Sequence, residues 1–169
     1  MTAPTYRQLI IVRHAHRDKP KPLGSGADNG LSKKGKAQAK EVARFFLKFV
    51  KPSSPSAVKL LSSPKKRCVQ TLDPLSAKLK CPIEILPALD EQGSSQSGEA
   101  FQKKIRTFFD AWEKGGNPIT IICSHGDWIP LALKMLSGTS VDLKKGGWTQ
   151  LNFENGNYQL TWILQKLVI

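Results

Sequence analysis

Hydrophobic positions come in two rhythms along this chain. Gln8 to Val12 is a short, nearly continuous apolar run, and the same character returns at Val58 to Leu61 and at Ile119 to Cys123. Runs of that length and continuity suit strands covered on both faces. Between them the spacing changes to that of helices. From Lys33 to Val50, Ala39, Val42, Ala43, Phe46 and Phe49 share one face while Lys36, Lys40, Arg44 and Lys48 share another. This predicts an amphipathic helix with Ser32 as its N-cap and Pro52 just beyond its end, and with the phenylalanines in the core. Ser63 and Pro64 read as the cap and first turn of a second helix through Val69 and Leu72, which Pro74 should kink or shorten. Ile83 to Leu86 is a brief strand. A Gly/Ser-rich loop, Gln92 to Gly98, precedes a helix from Glu99 to Trp112 that Gly115-Gly116 ends, and the strand at Ile119 passes into a helix from Asp127 to Leu136. Trp148 to Phe153 and Tyr158 to Leu164 flank Glu154-Asn155-Gly156-Asn157, a sequence typical of a hairpin turn.

Strands alternating with helices over most of the length predict an α/β fold. The expected architecture is a three-layer α/β/α sandwich on a mainly parallel mixed sheet, with an antiparallel C-terminal hairpin. The 169 residues fit one domain, 1–169, with neither an internal repeat nor a long linker. An apolar fraction of 40% with regular patterning excludes intrinsic disorder. No apolar run is long enough to cross a bilayer and the first dozen residues lack signal-peptide character, so a cytoplasmic protein without membrane contact is expected. Cys68, Cys81 and Cys123 form no Cys-x-x-Cys pair and read as packing residues of a reducing compartment.

Charge changes the picture of partners. Twenty-six Lys and Arg against thirteen Asp and Glu give a formal charge of +13, which attracts anions: nucleic acid, phosphorylated small molecules or acidic proteins. Lys33, Lys34, Lys36, Lys40, Lys65 and Lys66 are best read as solvated helix faces, and would enrich anionic substrates if several bordered a pocket.

Three segments follow predicted strands directly: Arg13-His14-Ala15-His16-Arg17, Ser62-Ser63-Pro64-Lys65-Lys66-Arg67 and Ser124-His125-Gly126-Asp127. In a parallel sheet the carboxyl ends of strands share one rim, where helix N-termini favour anions. All three histidines of the chain, with Arg13, Arg17 and Arg67, can therefore converge there. Two imidazoles among guanidiniums, whose forked donors match phosphate oxygens, describe a phosphoryl pocket.

At these residues the sequence resembles the histidine phosphatase superfamily, which includes cofactor-dependent phosphoglycerate mutases and small phosphohistidine phosphatases. The resemblance runs through Leu-Ile-Ile-Val-Arg13-His14, Leu31-Ser32-x-x-Gly35-x-x-Gln38-Ala39, Ser62-Ser63-Pro64-x-x-Arg67-x-x-Gln70-Thr71 and Ser124-His125-Gly126, spanning residues 8 to 136. It implies that His14 is a phosphorylated nucleophile and that Arg13, Arg67 and His125 hold the phosphoryl group. Glu91 stands where mutase-like members carry their acid, although the Gly-aromatic stretch that follows it there is replaced by Gln92 to Gly98; Asp127, Asp90, Asp18 and Glu99 compete for that role. Ala15 replaces the usual glycine and fits if its φ is negative. Arg17 and Gly126 are candidate substrate contacts, Trp128 a candidate lining residue, and His16 a pocket-edge or surface residue.

The expected reaction is metal-independent and cofactor-free hydrolysis of a phosphomonoester or a phosphohistidine, on a small molecule or a phosphoprotein, through a phosphohistidine at His14. The chain is short for a mutase. Three other readings stand beside it. One is a polyanion-binding domain, which would explain the charge but lacks a zinc-finger, RNP or Gly-x-x-Gly signature. Another is a non-catalytic phosphate sensor. The last is a metal hydrolase using His14, His16 and His125, disfavoured by the adjacent arginines.

Overall fold

The structure is a computed structural model and describes residues 6–18 and 28–166. Its centre is a six-stranded sheet. The strands are β1 (Tyr6–Arg13), β2 (Val58–Ser62), β3 (Ile83–Ile85), β4 (Ile119–Ser124), β5 (Trp148–Glu154) and β6 (Asn157–Leu164), in the spatial order β3-β2-β4-β1-β5-β6. The first four run parallel, while β5 pairs antiparallel with both β1 and β6. The sheet is thus mainly parallel with an antiparallel C-terminal hairpin, as the alternation of strands and helices predicted.

Strand periodicity makes the layers. Along β1, Leu9 and Ile11 enter one apolar cluster and Ile10 and Val12 another, on the opposite face. Helices α1 (Lys33–Phe49) and α2 (Lys66–Leu79) cover the Ile10 face; α3 (Gly98–Glu113) and α4 (Trp128–Ser137) cover the Leu9 face. The hairpin turn follows from its residues: Asn155 and Gly156 both have positive φ, 51° and 78°, which closes β5 onto β6 with the twist the strands require.

Several boundaries differ from expectation. The second helix starts at Lys66, with Lys65 as a cap that offers no side-chain hydrogen bond; the Ser63 hydroxyl is drawn elsewhere, as described below. Pro74 lies inside α2 and does not end it. Leu72, Leu75 and Leu79 are buried against the sheet, and their packing offsets the missing N–H, a defect of about 3 kcal/mol. Phe46 is fully buried, but Phe49 is 56% exposed. Phe49, in the last turn of α1, lies against Phe45, 4.4 Å away between ring centres, instead of entering the core. Cys68 and Cys123 are buried and Cys81 is only half-buried.

One buried charge was not foreseen. Arg7, on β1, gives 2.8 Å hydrogen bonds to the carbonyls of Trp112, Glu113 and Gly115, which end α3, and its guanidinium lies 4.1 Å from the centre of the Trp112 ring. A cation is thereby placed at the negative end of the helix dipole.

Candidate active site

The carboxyl ends of β1, β2 and β4 are neighbours at one rim, and each hands its chain to a segment the sequence singled out. Arg13 closes β1, directly opposite Ser124 of β4. His14 follows, buried, with its N–H on the Ser124 carbonyl at 3.0 Å. The His14 and His125 rings come within 5.4 Å, centre to centre. Arg67 is buried on the first turn of α2, and its Nη2 lies 3.3 Å from His125 Nδ1 and 2.7 Å from Glu91 Oε1. Arg13, His14, Arg67, His125 and Glu91 therefore gather at one place.

Each side chain has a local reason for its position. His14 Nδ1 lies 2.9 Å from the Ala15 carbonyl, which can only accept, so Nδ1 bears the proton and Nε2 keeps its lone pair. Burial is the main cause that lowers the His14 pKa to about 4, and the charges of Arg67, Arg13 and Lys145 act in the same direction, against the hydrogen bond to Ala15. The ring is neutral at physiological pH. His125 is held down to about 2 by burial first, then by Arg67, His14, Lys65 and Lys104. Two carboxylates stand close to it, Asp90 Oδ1 at 3.4 Å from Nε2 and Glu91 Oε2 at 3.6 Å from Nδ1. Both are partly open to solvent, and screened charges at that range do not overcome burial reinforced by four neighbouring bases.

The remaining motif residues build the cradle. Thr71 Oγ1 accepts from the Ala15 N–H at 2.9 Å, and Gln38 Oε1 accepts from the His16 N–H at 2.8 Å while its Nε2 reaches the Lys145 carbonyl at 3.4 Å. Gln70 Oε1 accepts from the Leu31 N–H at 2.7 Å. Ala15 is fully buried and is not among the residues with positive φ, so it takes the glycine's place without strain. A Cβ on Gly126 would lie 2.5 Å from Arg13 Nη2, and one on Gly35 would lie 1.9 Å from the His16 carbonyl oxygen. Gly126, expected to touch substrate, is thus where the Arg13 guanidinium packs. That guanidinium also donates to the Leu143 carbonyl at 2.6 Å.

Other expectations sort differently. Trp128 does not line the pocket: it is fully buried in the core, with Nε1 donating to the Ala88 carbonyl at 2.9 Å. Asp127 caps α4 through its Trp128 N–H and also accepts from the Gln92 N–H, both at 2.8 Å, so it positions the loop that bears Glu91. His16 is half-buried, Nδ1 lying 2.7 Å from Ser32 Oγ at the start of α1. Among the described residues no three His, Cys, Asp or Glu side chains are grouped to hold a metal ion, so His16 does not join His14 and His125. Arg17 forms a single bridge with Leu31 and adds its charge beside Lys145. Asp18 is joined to Gly30 through its backbone, and Glu99 sits in the first turn of α3.

Sequence reasoning missed three contributors. Lys145 precedes Gly146, whose N–H lies 3.1 Å from the Arg13 carbonyl and 3.3 Å from that of His14. Asp28 reaches Arg67 Nη1 at 3.7 Å and accepts from the Lys66 N–H at 2.7 Å. Ser63 Oγ meets His125 Nε2 at 2.7 Å and Asp90 Oδ1 at 3.2 Å. Lys65, taken for a solvated lysine, stands 3.6 Å from Asp90. Lysine-rich and serine-rich surroundings hid Lys145, Ser63 and Lys65, because nothing in composition separates a pocket lysine or serine from a solvated one, and Asp28 stands in a Gly/Asn-rich stretch that reads as a plain loop. A second concavity, of about 800 Å³ between α3 and the β2–β3 edge, is lined by Leu61, Leu86, Phe108 and Trp112 and offers no comparable chemistry.

Comparison with known proteins agrees with this geometry. The family model described as histidine phosphatase superfamily, branch 1, matches residues 9–96. A curated relative, 8-oxo-(d)GTP phosphatase of Mycolicibacterium smegmatis, is 28% identical over 125 residues, which is 73% of this chain and 35% of the relative. The chain thus matches about a third of that protein's length. Among solved structures, the alpha-ribazole phosphatase of Shigella flexneri superposes with a TM-score of 0.76 at 18% identity, covering 94% of this chain and 96% of the other. The protein histidine phosphatase SixA, complexed with tungstate, gives 0.73 at 22% identity over 94% and 96%. At these identities the likeness is one of fold. No helix among the described residues is long and apolar enough to cross a membrane.

Proposed function

Because the chain belongs to the histidine phosphatase superfamily, branch 1, we propose that it is a phosphatase that hydrolyses a phosphomonoester or a phosphohistidine through a phosphohistidine on His14. The observation that carries this reading is the free Nε2 of a buried neutral imidazole, set beside Arg13, Arg67 and His125. Nε2 attacks phosphorus in line, the bond from phosphorus to the leaving group breaks, and the phosphoryl group passes to the ring. Arg13, Arg67 and His125 donate to its oxygens. Such preorganised donors are worth about 3 kcal/mol each by analogy with oxyanion holes. The buried Nε–H groups of Arg13 and Arg67 have no acceptor among the described residues, which suits guanidiniums built to meet an anion.

Glu91 completes the cycle in this reading. A phosphoryl dianion replaces it on Arg67 and brings like charge against the carboxylate, which favours the protonated form that a leaving oxygen needs. The same group then takes a proton from the water that cleaves the phosphohistidine, releasing phosphate and restoring His14. A P–N substrate needs less of this help. Arg17 and Lys145 supply further positive charge for an anionic substrate. The relatives' names span a nucleotide, a protein phosphohistidine and a ribazole ester, which supports the shared phosphoryl chemistry and leaves the leaving group open.

The test is phosphate release from an activated aryl phosphate with a metal chelator present, native chain against His14→Ala. Turnover that survives the chelator and is lost in the variant, with the fold retained by circular dichroism, supports the reading. A His14→Ala protein as active as the native chain overturns it.

A further inference from the structure

Ser63 and Asp90, neither of them expected to touch His125, converge on its far side. Arg67 can only donate, so its Nη2, 3.3 Å from Nδ1, faces a lone pair there and the ring proton resides on Nε2. Nε2–H then donates to Ser63 Oγ at 2.7 Å, and the Ser63 hydroxyl donates to Asp90 Oδ1 at 3.2 Å. Both ends are anchored. Ser63 Oγ also accepts from the Lys65 N–H at 3.3 Å, while Asp90 Oδ1 accepts from the Glu91 N–H at 2.9 Å and the Asp90 carbonyl from Lys104 Nζ at 2.9 Å. Ser63 is fully buried and His125 nearly so. Among the described residues, Cys68 Sγ, 3.5 Å from Nε2, is the one other polar side-chain atom on that edge of the ring besides Asp90 itself.

We propose that Ser63 and Asp90 are positioning residues for His125: they fix its Nε2–H tautomer, turn Nδ1 toward the phosphoryl position, and sustain the imidazolium that forms when a phosphoryl group is bound. This rests on the reading of His125 as a phosphoryl ligand. The oxygens of a phosphoryl dianion are acceptors, so Nδ1 can engage one only by carrying a proton of its own. That proton moves to Nδ1 from the monoanionic phosphoryl group, leaving a dianion and an imidazolium. The ring then faces Arg67, His14, Lys65 and Lys104 on the opposing side and Asp90, Glu91 and the new dianion on the supporting one. Glu91 lies on the Nδ1 side, where the substrate competes with it. Asp90 is on the opposite edge, 3.4 Å from Nε2, and stays available in every step, much as the buried aspartate orients and balances the imidazole of a Ser-His-Asp triad.

The experiment is nitrogen NMR of protein labelled at its histidine rings, with inorganic phosphate as the probe, together with pH profiles on the aryl phosphate. In the native chain Nε2 of His125 is expected protonated and Nδ1 bare, and phosphate should protonate Nδ1 as well. Asp90→Asn retains an acceptor for Ser63, so the resting tautomer persists but the second protonation weakens. The alkaline limb of kcat, which reports the complex, then moves down by about one pH unit, a tenfold loss above it, with little change below it. Ser63→Ala mixes the tautomers and Ser63→Thr restores the single one. If Ser63→Ala does not fold, the threonine and asparagine variants still decide. Nδ1 protonated in the resting native ring, or an Asp90→Asn protein that titrates and turns over as the native one does, overturns the proposal. If His14→Ala is inactive while Asp90→Asn is unaffected, only the relay fails and the phosphatase reading stands. An inactive native protein whose His125 still takes up a second proton with phosphate gives the converse: the relay stands and the phosphatase reading fails.

Discussion

A methyl group added at either of two glycines in this chain would collide with something, but with opposite consequences. At Gly126 the obstacle is the end of the Arg13 side chain, 2.5 Å from the added carbon; at Gly35 it is the backbone oxygen of His16, at 1.9 Å. A guanidinium can swing away at small cost in stability, whereas a carbonyl tied to the Ser32 N–H cannot without moving the turn. Gly126→Ala should therefore leave the melting temperature nearly unchanged while lowering turnover on an aryl phosphate about a hundredfold, the loss of one preorganised donor. Gly35→Ala should lower stability by more than about 2 kcal/mol in a denaturant titration, through strain at the site. If Gly126→Ala proved fully active, Arg13 would have no part in holding the phosphoryl group. The sequence alone marked Arg13, His14, Arg67 and His125, because rare residue types recurred after apolar strands; it marked Glu91 only through the family resemblance, beside Asp127, Asp90, Asp18 and Glu99. It did not mark Ser63 or Asp90 as partners of His125, since their role depends on which way a hydroxyl and a carboxylate turn, and a serine before proline reads first as a helix cap.

At the scale of elements, periodicity reported the sheet well and the helix ends less well. β1, β2 and β4 were readable because strands covered on both faces cannot alternate with polar residues. The start of α2 was misjudged because the Ser63 hydroxyl is shared between His125 and the Lys65 N–H, which lies ahead of the helix, and Pro74 because burial of Leu72, Leu75 and Leu79 outweighs propensity. The expectation that Trp128 faces substrate failed for a related reason: α4 lies on the Leu9 face and turns its first residue into the core. Arg7 belongs to this scale as well. It collects the terminal carbonyls of α3, so Arg7→Met, which retains much of the apolar stem, should cost about 3 kcal/mol by leaving charge-assisted acceptors unmatched. Amide hydrogen exchange should show that loss as faster exchange at the C-terminal end of α3. Unchanged protection there would mean that the helix end is held by its apolar contacts alone.

For the whole molecule, two buried neutral imidazoles set an acid limit on stability. His14 and His125 keep their rings uncharged down to pH values near 4 and 2, respectively, whereas in the unfolded chain a histidine takes its proton near pH 6.5. As pH falls through 6.5 the unfolded state binds protons that the native state refuses. Stability should then drop by about 1.4 kcal/mol per pH unit for each histidine, both contributing until His14 itself titrates near 4. Urea midpoints measured between pH 7 and 5 check this, and a His14→Gln protein should lose about half of the slope. A native midpoint that does not move over that range would place both rings in contact with water. The excess of cations, 26 against 13, adds self-repulsion at the same acidic end.

The order of the sheet has a consequence for the way the protein comes into being. β1 precedes β4 and β5 in sequence, yet it lies between them and borrows its final backbone partners from Gly146 and Gly147. The segment bearing Arg13 and His14 leaves the ribosome before β4 and β5 do, and it is enclosed only once they have arrived. A nascent chain shorter than this loop carries its two most reactive-looking residues on an unclosed sheet edge, with His125 or the loop over Arg13 still to come. The site, on this plan, has no rudimentary form in a partial chain: it is complete only when β4, β5 and the glycines ahead of β5 have been delivered to β1.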